Sequence, residues 1–127
     1  MNKICKLIME YLSKLKMDKD EKYNEKALEL FNAKKYEKAL KYFNKAICIK
    51  NDKADYYRNR GYCYYEMKQF ELGDKDFDEA SMIAEIENAF NSITDRFFCY
   101  DDYEKYKQIL IRYKNDPRFA KRIQDLL

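Results

Sequence analysis

Apolar side chains recur at intervals of three and four residues along most of the chain, the spacing that places them on one face of an α-helix. Ile4, Leu7, Ile8, Tyr11, Leu12 and Leu15 form the first stripe, with Lys3, Lys6, Lys14 and Lys16 elsewhere. Leu28, Leu30 and Phe31 give way to the run Asn32-Ala33-Lys34-Lys35, after which Tyr36, Ala39, Leu40, Phe43, Ala46 and Ile47 resume the period. Tyr57, Gly61, Tyr64 and Tyr65, a turn at Lys68-Gln69, and Phe70, Gly73, Phe77, Ala80 and Ile83 do the same again. The pattern predicts pairs of helices joined by short polar turns.

These two pairs repeat each other at a shift of 34 residues. Tyr23 falls on Tyr57, Ala27 on Gly61, Leu30 on Tyr64, Phe31 on Tyr65, Tyr36 on Phe70, Ala39 on Gly73, Phe43 on Phe77 and Ala46 on Ala80. A fixed period of this size marks a stacked array in which each unit is one helical hairpin. The two glycines of the chain stand mid-helix, where Gly costs about 1 kcal/mol against Ala. They fall where the other repeat has Ala27 and Ala39, so a close crossing of the two helices offsets the cost.

On these residues the chain resembles the tetratricopeptide repeat family. The family pattern reads Tyr23, Lys26, Ala27, Leu30, Ala39, Phe43 and Ala46 in the first unit, and Tyr57, Arg60, Gly61, Tyr64, Gly73, Phe77 and Ala80 in the second. Lys26 and Arg60 depart from the usual Leu, which implies a looser contact or one covered by aliphatic stems. The usual Pro after the second helix is replaced by Asn51 and Glu85; Asn51-Asp52 still reads as a turn, whereas nothing between Ala80 and Phe90 breaks a helix.

The flanks extend the array. Residues 1–17 predict a helix packed onto the first repeat, with an interfacial membrane helix as the alternative; Leu7-Ile8-Met9 is too short an apolar run for a signal-peptide core or a membrane span. Asp18 or Asp20 caps the next helix. Ile86, Ala89, Phe90, Ile93, Phe97 and Phe98, then Tyr103, Tyr106, Ile109, Leu110 and Tyr113, read as a third repeat that has lost its pattern, with Asp101 or Asp102 as cap and Glu104 in capping-box spacing. Asp116-Pro117 starts a closing helix through Phe119, Ile123, Leu126 and Leu127. The expected architecture is all-α: one domain with a helix at 1–17, repeats at 20–53, 54–87 and 88–115, and a capping helix at 117–127. It makes seven or eight helices in a short right-handed superhelix.

Composition fits a helical array and disfavours catalysis. One Pro and two Gly among 127 residues argue against a sheet protein with many turns. Twenty-six basic against 23 acidic residues leave a net charge of +3, nearly balanced, which gives no reason to expect nucleic acid or an anionic membrane as partner. The carboxylates interleave with Lys at helical spacing and mostly read as a solvated face. The chain has no His, the commonest general base and metal ligand. Cys5, Cys48, Cys63 and Cys99 show no metal-ligand or redox spacing, and three of them read as buried, reduced thiols in a chain expected to be cytoplasmic. No glycine-rich phosphate loop is present, and the few hydroxyls have no base nearby in sequence. No enzyme activity, cofactor or metal is expected.

Binding remains, and the resemblance implies where. First helices of such repeats line a concave groove, here Asn24, Leu28 and Phe31, then Asp55, Arg58, Asn59, Tyr62, Tyr65 and Glu66, with Arg96 beyond them. Tyr57 and Tyr64 take the packing roles, which leaves Tyr62 and Tyr65 facing the groove beside Arg58 and Asn59. Tyr and Arg are enriched at interface hot spots, and an amide can pair with an extended peptide. Of the residues by which some family members grip a C-terminal carboxylate, only Asn59 matches. The expected function is an adaptor or scaffold that binds a peptide or partner protein. The alternatives are an RNA-binding helical repeat and a self-associating module whose groove is filled, by residues 1–16 or by a second copy.

Overall fold

The computed structural model describes residues 2–95 and 100–127, which hold seven helices and no strand. α1 (Lys3–Leu15) precedes two hairpins, α2 (Lys19–Asn32) with α3 (Tyr36–Ile49) and α4 (Ala54–Glu66) with α5 (Phe70–Thr94); α6 (Tyr100–Arg112) and α7 (Ala120–Leu126) follow. α2 packs along α3, α3 against α4, α4 along α5, and α6 against α5. Among the described residues no helix is long and apolar enough to cross a membrane.

The 34-residue period is written into the backbone. Both hairpins turn through a residue in the left-handed region, Lys34 at φ 60° and Lys68 at φ 59°. Lys35 N–H bonds to Leu30 O and Lys34 N–H to Phe31 O, and 34 residues on Gln69 N–H bonds to Tyr64 O and Lys68 N–H to Tyr65 O, all at 2.9–3.0 Å. These are the paired bonds that close a helix through a left-handed residue. An edge-to-face pair sits over each turn, Phe31 with Tyr36 and Tyr65 with Phe70.

At the α4–α5 crossing the two glycines face each other. A Cβ on Gly61 would stand 2.9 Å from Phe77 Cε1 and 3.2 Å from Gly73 O; one on Gly73 would overlap Tyr65 Cδ2 and stand 3.1 Å from Gly61 O. Close approach is therefore what both glycines supply. In the first hairpin, Ala27 and Ala39 are fully buried with Phe43 and Cys63 in one cluster. A second, larger cluster joins Ala46, Ile47, Tyr56 and Tyr57 to Ile83, Ile86, Phe90, Leu110, Phe119 and Ile123, so α6 and α7 cover the far half of α5.

Several sequence expectations change. α5 runs unbroken through 87–88, where a repeat boundary was placed, because no helix breaker intervenes and Ile83, Ile86, Ala89 and Phe90 continue one buried stripe. α1 does not pack on the first hairpin: its large apolar residues are 49–68% exposed, so neither does it fill a groove. Asp18 is at the N-cap of α2 without a side-chain cap bond, and Asp20 is buried instead. Cys5 and Cys48 are exposed and only Cys63 of the described cysteines is buried. The closing helix begins at Ala120 with Phe119 at its N-cap, not at Asp116-Pro117; Asp116 opens the turn before it, its Oδ1 accepting from Arg118 N–H and its carbonyl from Ala120 N–H. Arg96, Phe97, Phe98 and Cys99, and the proposed cap at Asp101, lie outside what is described.

Candidate functional site

α2 and α4 lie side by side, and polar bridges set their register. Tyr56 Oη donates to Asp20 Oδ2 at 2.6 Å, and Asn59 Nδ2 donates to Asn24 Oδ1 at 3.2 Å. Lys53 Nζ lies 3.7 Å from Asp20 Oδ2 and 3.4 Å from Glu21 Oε1. Burial opposes the charge on Asp20, but the Tyr56 hydroxyl, a backbone N–H and Lys53 outweigh it and hold the carboxyl below its ordinary range. The same burial, together with the Asp20 acceptor, keeps Tyr56 protonated far above the usual phenol range. Asp20 is therefore an anionic tie between hairpins, a role its place in a first helical turn does not reveal.

The nine residues expected to line a groove divide into three groups. Asn24 and Asn59 meet each other across the two helices. Leu28 and Phe31 lean on the cluster around Phe43, half-buried. Asp55, Arg58, Tyr62, Tyr65 and Glu66 stand on the outer side of α4, with Arg58 Nη1 bonded to Asp55 Oδ1 at 2.7 Å one turn away. Glu66 is exposed; its charge acts on Cys63, whose thiol is pushed up to about 11 by burial first and by Glu66 second.

Tyr62 and Tyr65 have packing partners that the repeat alignment did not assign them. Tyr62 meets Phe77 edge-on at 5.1 Å, and Tyr65 meets Phe70 at 5.1 Å and Phe77 at 5.3 Å while its hydroxyl donates to Asp74. They nonetheless remain 52% and 36% exposed. Each ring is thus fixed on one side by α5 and open to solvent on the other. Their new neighbours follow from the glycines: with no Cβ at 61 or 73, Phe77 and Tyr65 slide into the crossing.

A concavity elsewhere on the molecule went unread in the sequence. An open depression of about 510 Å³ between the α3–α4 turn, α5 and α7 is lined by Lys50, Asp52, Lys53, Asp55, Glu87 and Arg122 over Ile83 and Ala84. Arg122 bonds Glu87 at 2.8 Å and covers the Phe90 ring. Asp52 Oδ1 is buried there without a hydrogen-bond partner among the described residues. Asp55 lines this depression and also pairs with Arg58 on the outer side of α4.

Among the described residues no group of His, Cys, Asp or Glu is arranged to hold a metal ion. Comparisons with protein-family models, with curated proteins and with solved structures find no match to this chain.

Proposed function

We propose that the chain is a non-catalytic interaction module of the tetratricopeptide type, its hairpins stacked as a short superhelix, that binds an extended peptide of a partner protein across α2 and α4. The observation that carries this reading is the pair Tyr62 and Tyr65. Both are half-open to solvent, yet their contacts with Phe70 and Phe77 hold them in place. Aromatic rings already ordered before binding supply contact area at small entropic cost, as in interface hot spots. Arg58 and the Asn24–Asn59 amides beside them offer donors and acceptors to a peptide backbone.

Selection from a displayed-peptide library tests the proposal, with Tyr62→Ala as the counter-screen. Tyr62→Ala leaves Tyr65 over Gly73 and should keep the fold. Peptides enriched on the wild type and weakened about tenfold or more by Tyr62→Ala support the reading. Peptides that bind both proteins equally, or no enriched peptide, would overturn it.

A further inference from the structure

α1 is the one helix of the described residues whose apolar face touches no core cluster. Successive helical residues are about 100° apart, so Ile4, Leu7, Ile8, Tyr11, Leu12 and Leu15 fill an arc of about 140°. Lys3 stands beside Leu7 at one margin of that arc. Lys16, whose N–H bonds to Leu12 O and so continues the helical turn, stands beside Leu12 at the other. Thirteen residues make a rod about 20 Å long, shorter than a bilayer core. Such a helix is too short to span a bilayer.

Charge is segregated onto the same stretch. Residues 1–16 hold four of the 26 basic residues and one of the 23 acidic ones, leaving 22 of each in residues 17–127. The whole formal charge of +3 therefore sits on the segment that also carries the unpaired apolar face. The near-balance of the full chain concealed this. From the wide apolar arc, the lysines on both margins and this charge asymmetry, we propose that α1 is an in-plane anchor that docks the protein on an anionic lipid surface. The apolar residues enter the headgroup boundary, and the lysine stems reach along them to place their ammonium groups among lipid phosphates and carboxylates.

A second copy of the chain is the less suitable occupant. Two α1 helices packed face to face would bring together two segments that each carry a formal charge of +3, a like-charge repulsion that an anionic surface does not impose. One helix would also cover only part of the arc.

Flotation of the full chain with phosphatidylcholine vesicles, with and without phosphatidylserine, tests the proposal. The wild type should float with the anionic vesicles and stay behind with the neutral ones, and added salt should release it. Each lysine near the surface is worth roughly a fivefold change in partitioning, so Lys3→Glu/Lys16→Glu should cut binding by more than about tenfold. Leu7→Gln/Leu12→Gln should abolish it, and Tyr62→Ala should leave it unchanged. Both α1 variants should melt with the wild type, since the face they alter packs on nothing in the body. Equal flotation with neutral vesicles, or none with either, would overturn the proposal. So would a concentration-dependent dimer in sedimentation that Leu7→Gln/Leu12→Gln dissolves while no vesicle binding is seen, which would assign the face to a second copy.

Discussion

In the first hairpin the slots facing each other across the helix crossing hold Ala27 and Ala39, and the residue before them, Lys26, is exposed beside Glu29. In the second hairpin the same slots hold Gly61 and Gly73, and Arg60, in the place of Lys26, is drawn inward. Its Nε and Nη2 each bond Asp76 at 2.7 Å, its Nη1 bonds Asn44 at 3.1 Å, and its guanidinium covers the rings of Tyr57 and Tyr64. The difference traces to residue 76: where the second hairpin has Asp, the first has Tyr42, whose ring is tilted against Tyr23 under Lys45. One backbone thus supports two kinds of hairpin, both with aromatic contacts: alanines fill the crossing of the first, while glycines fill that of the second and the Arg60–Asp76 ion pair is added beside it. A cation at a given slot is solvated or structural according to what the opposite helix offers it.

The sharpest way to break this comparison is at the cation. Arg60→Met leaves the buried Asp76 unpaired and should cost about 3 kcal/mol. Lys26→Met, at the matching slot, should stay within about 0.5 kcal/mol. Urea unfolding of the two variants measures both, and equal effects would remove the distinction.

Next in size is the crossing. Gly73→Ala gains helix propensity but drives a methyl into the Tyr65 ring and toward Gly61 O, so it should destabilise by about 1 kcal/mol net. In a Tyr65→Ala background the same change should turn neutral or stabilising, a coupling that a double-mutant cycle reads directly. Ala39→Gly, in the first hairpin, should cost about 1 kcal/mol with no such coupling to Phe31.

The turns should respond alike. Lys34→Gly and Lys68→Gly each relieve a left-handed non-glycine residue, worth about 1–2 kcal/mol, against the extra freedom Gly gains when unfolded. Each should stabilise by roughly 0.5–1 kcal/mol, and by the same amount, as measured by thermal melting. Unequal shifts would show that the two turns are not energetically equivalent.

The smallest effect concerns the contact between hairpins. Asp20 is held below its ordinary pKa, so the stability it contributes is complete above about pH 4 and is lost as pH falls through its depressed value. Asp20→Asn should therefore show a shallower loss of stability between about pH 4 and pH 2 than the wild type. An unchanged slope would assign the acid response to other carboxylates, such as Asp116, which Arg118 holds low.

What was legible in the sequence is what repeats. The 34-residue shift located both turns and both glycines, because a close crossing leaves a mark in residue size. Tertiary pairing of charges leaves no such mark. Asp20 and Asp76 resemble every other carboxylate in a Lys-rich helix, and only the structure shows them buried against Tyr56 and Arg60. The stripe on α1 was equally plain, but periodicity states that a face exists and not what covers it. At the candidate site, the exposure of Tyr62 and Tyr65 was readable from their lack of a repeat role. Their hold on Phe77 was not, since aligning Phe77 with the fully buried Phe43 gave no hint that the second hairpin leaves it only half-covered.

The proposed peptide face on α2 and α4 is tested most directly by amide NMR shifts of the labelled protein on addition of a peptide selected from the library. The account predicts the largest shifts at Asn24, Arg58, Asn59, Tyr62 and Tyr65. Shifts confined to α1, or to the depression around Lys50 and Arg122, with α4 unmoved, would contradict it.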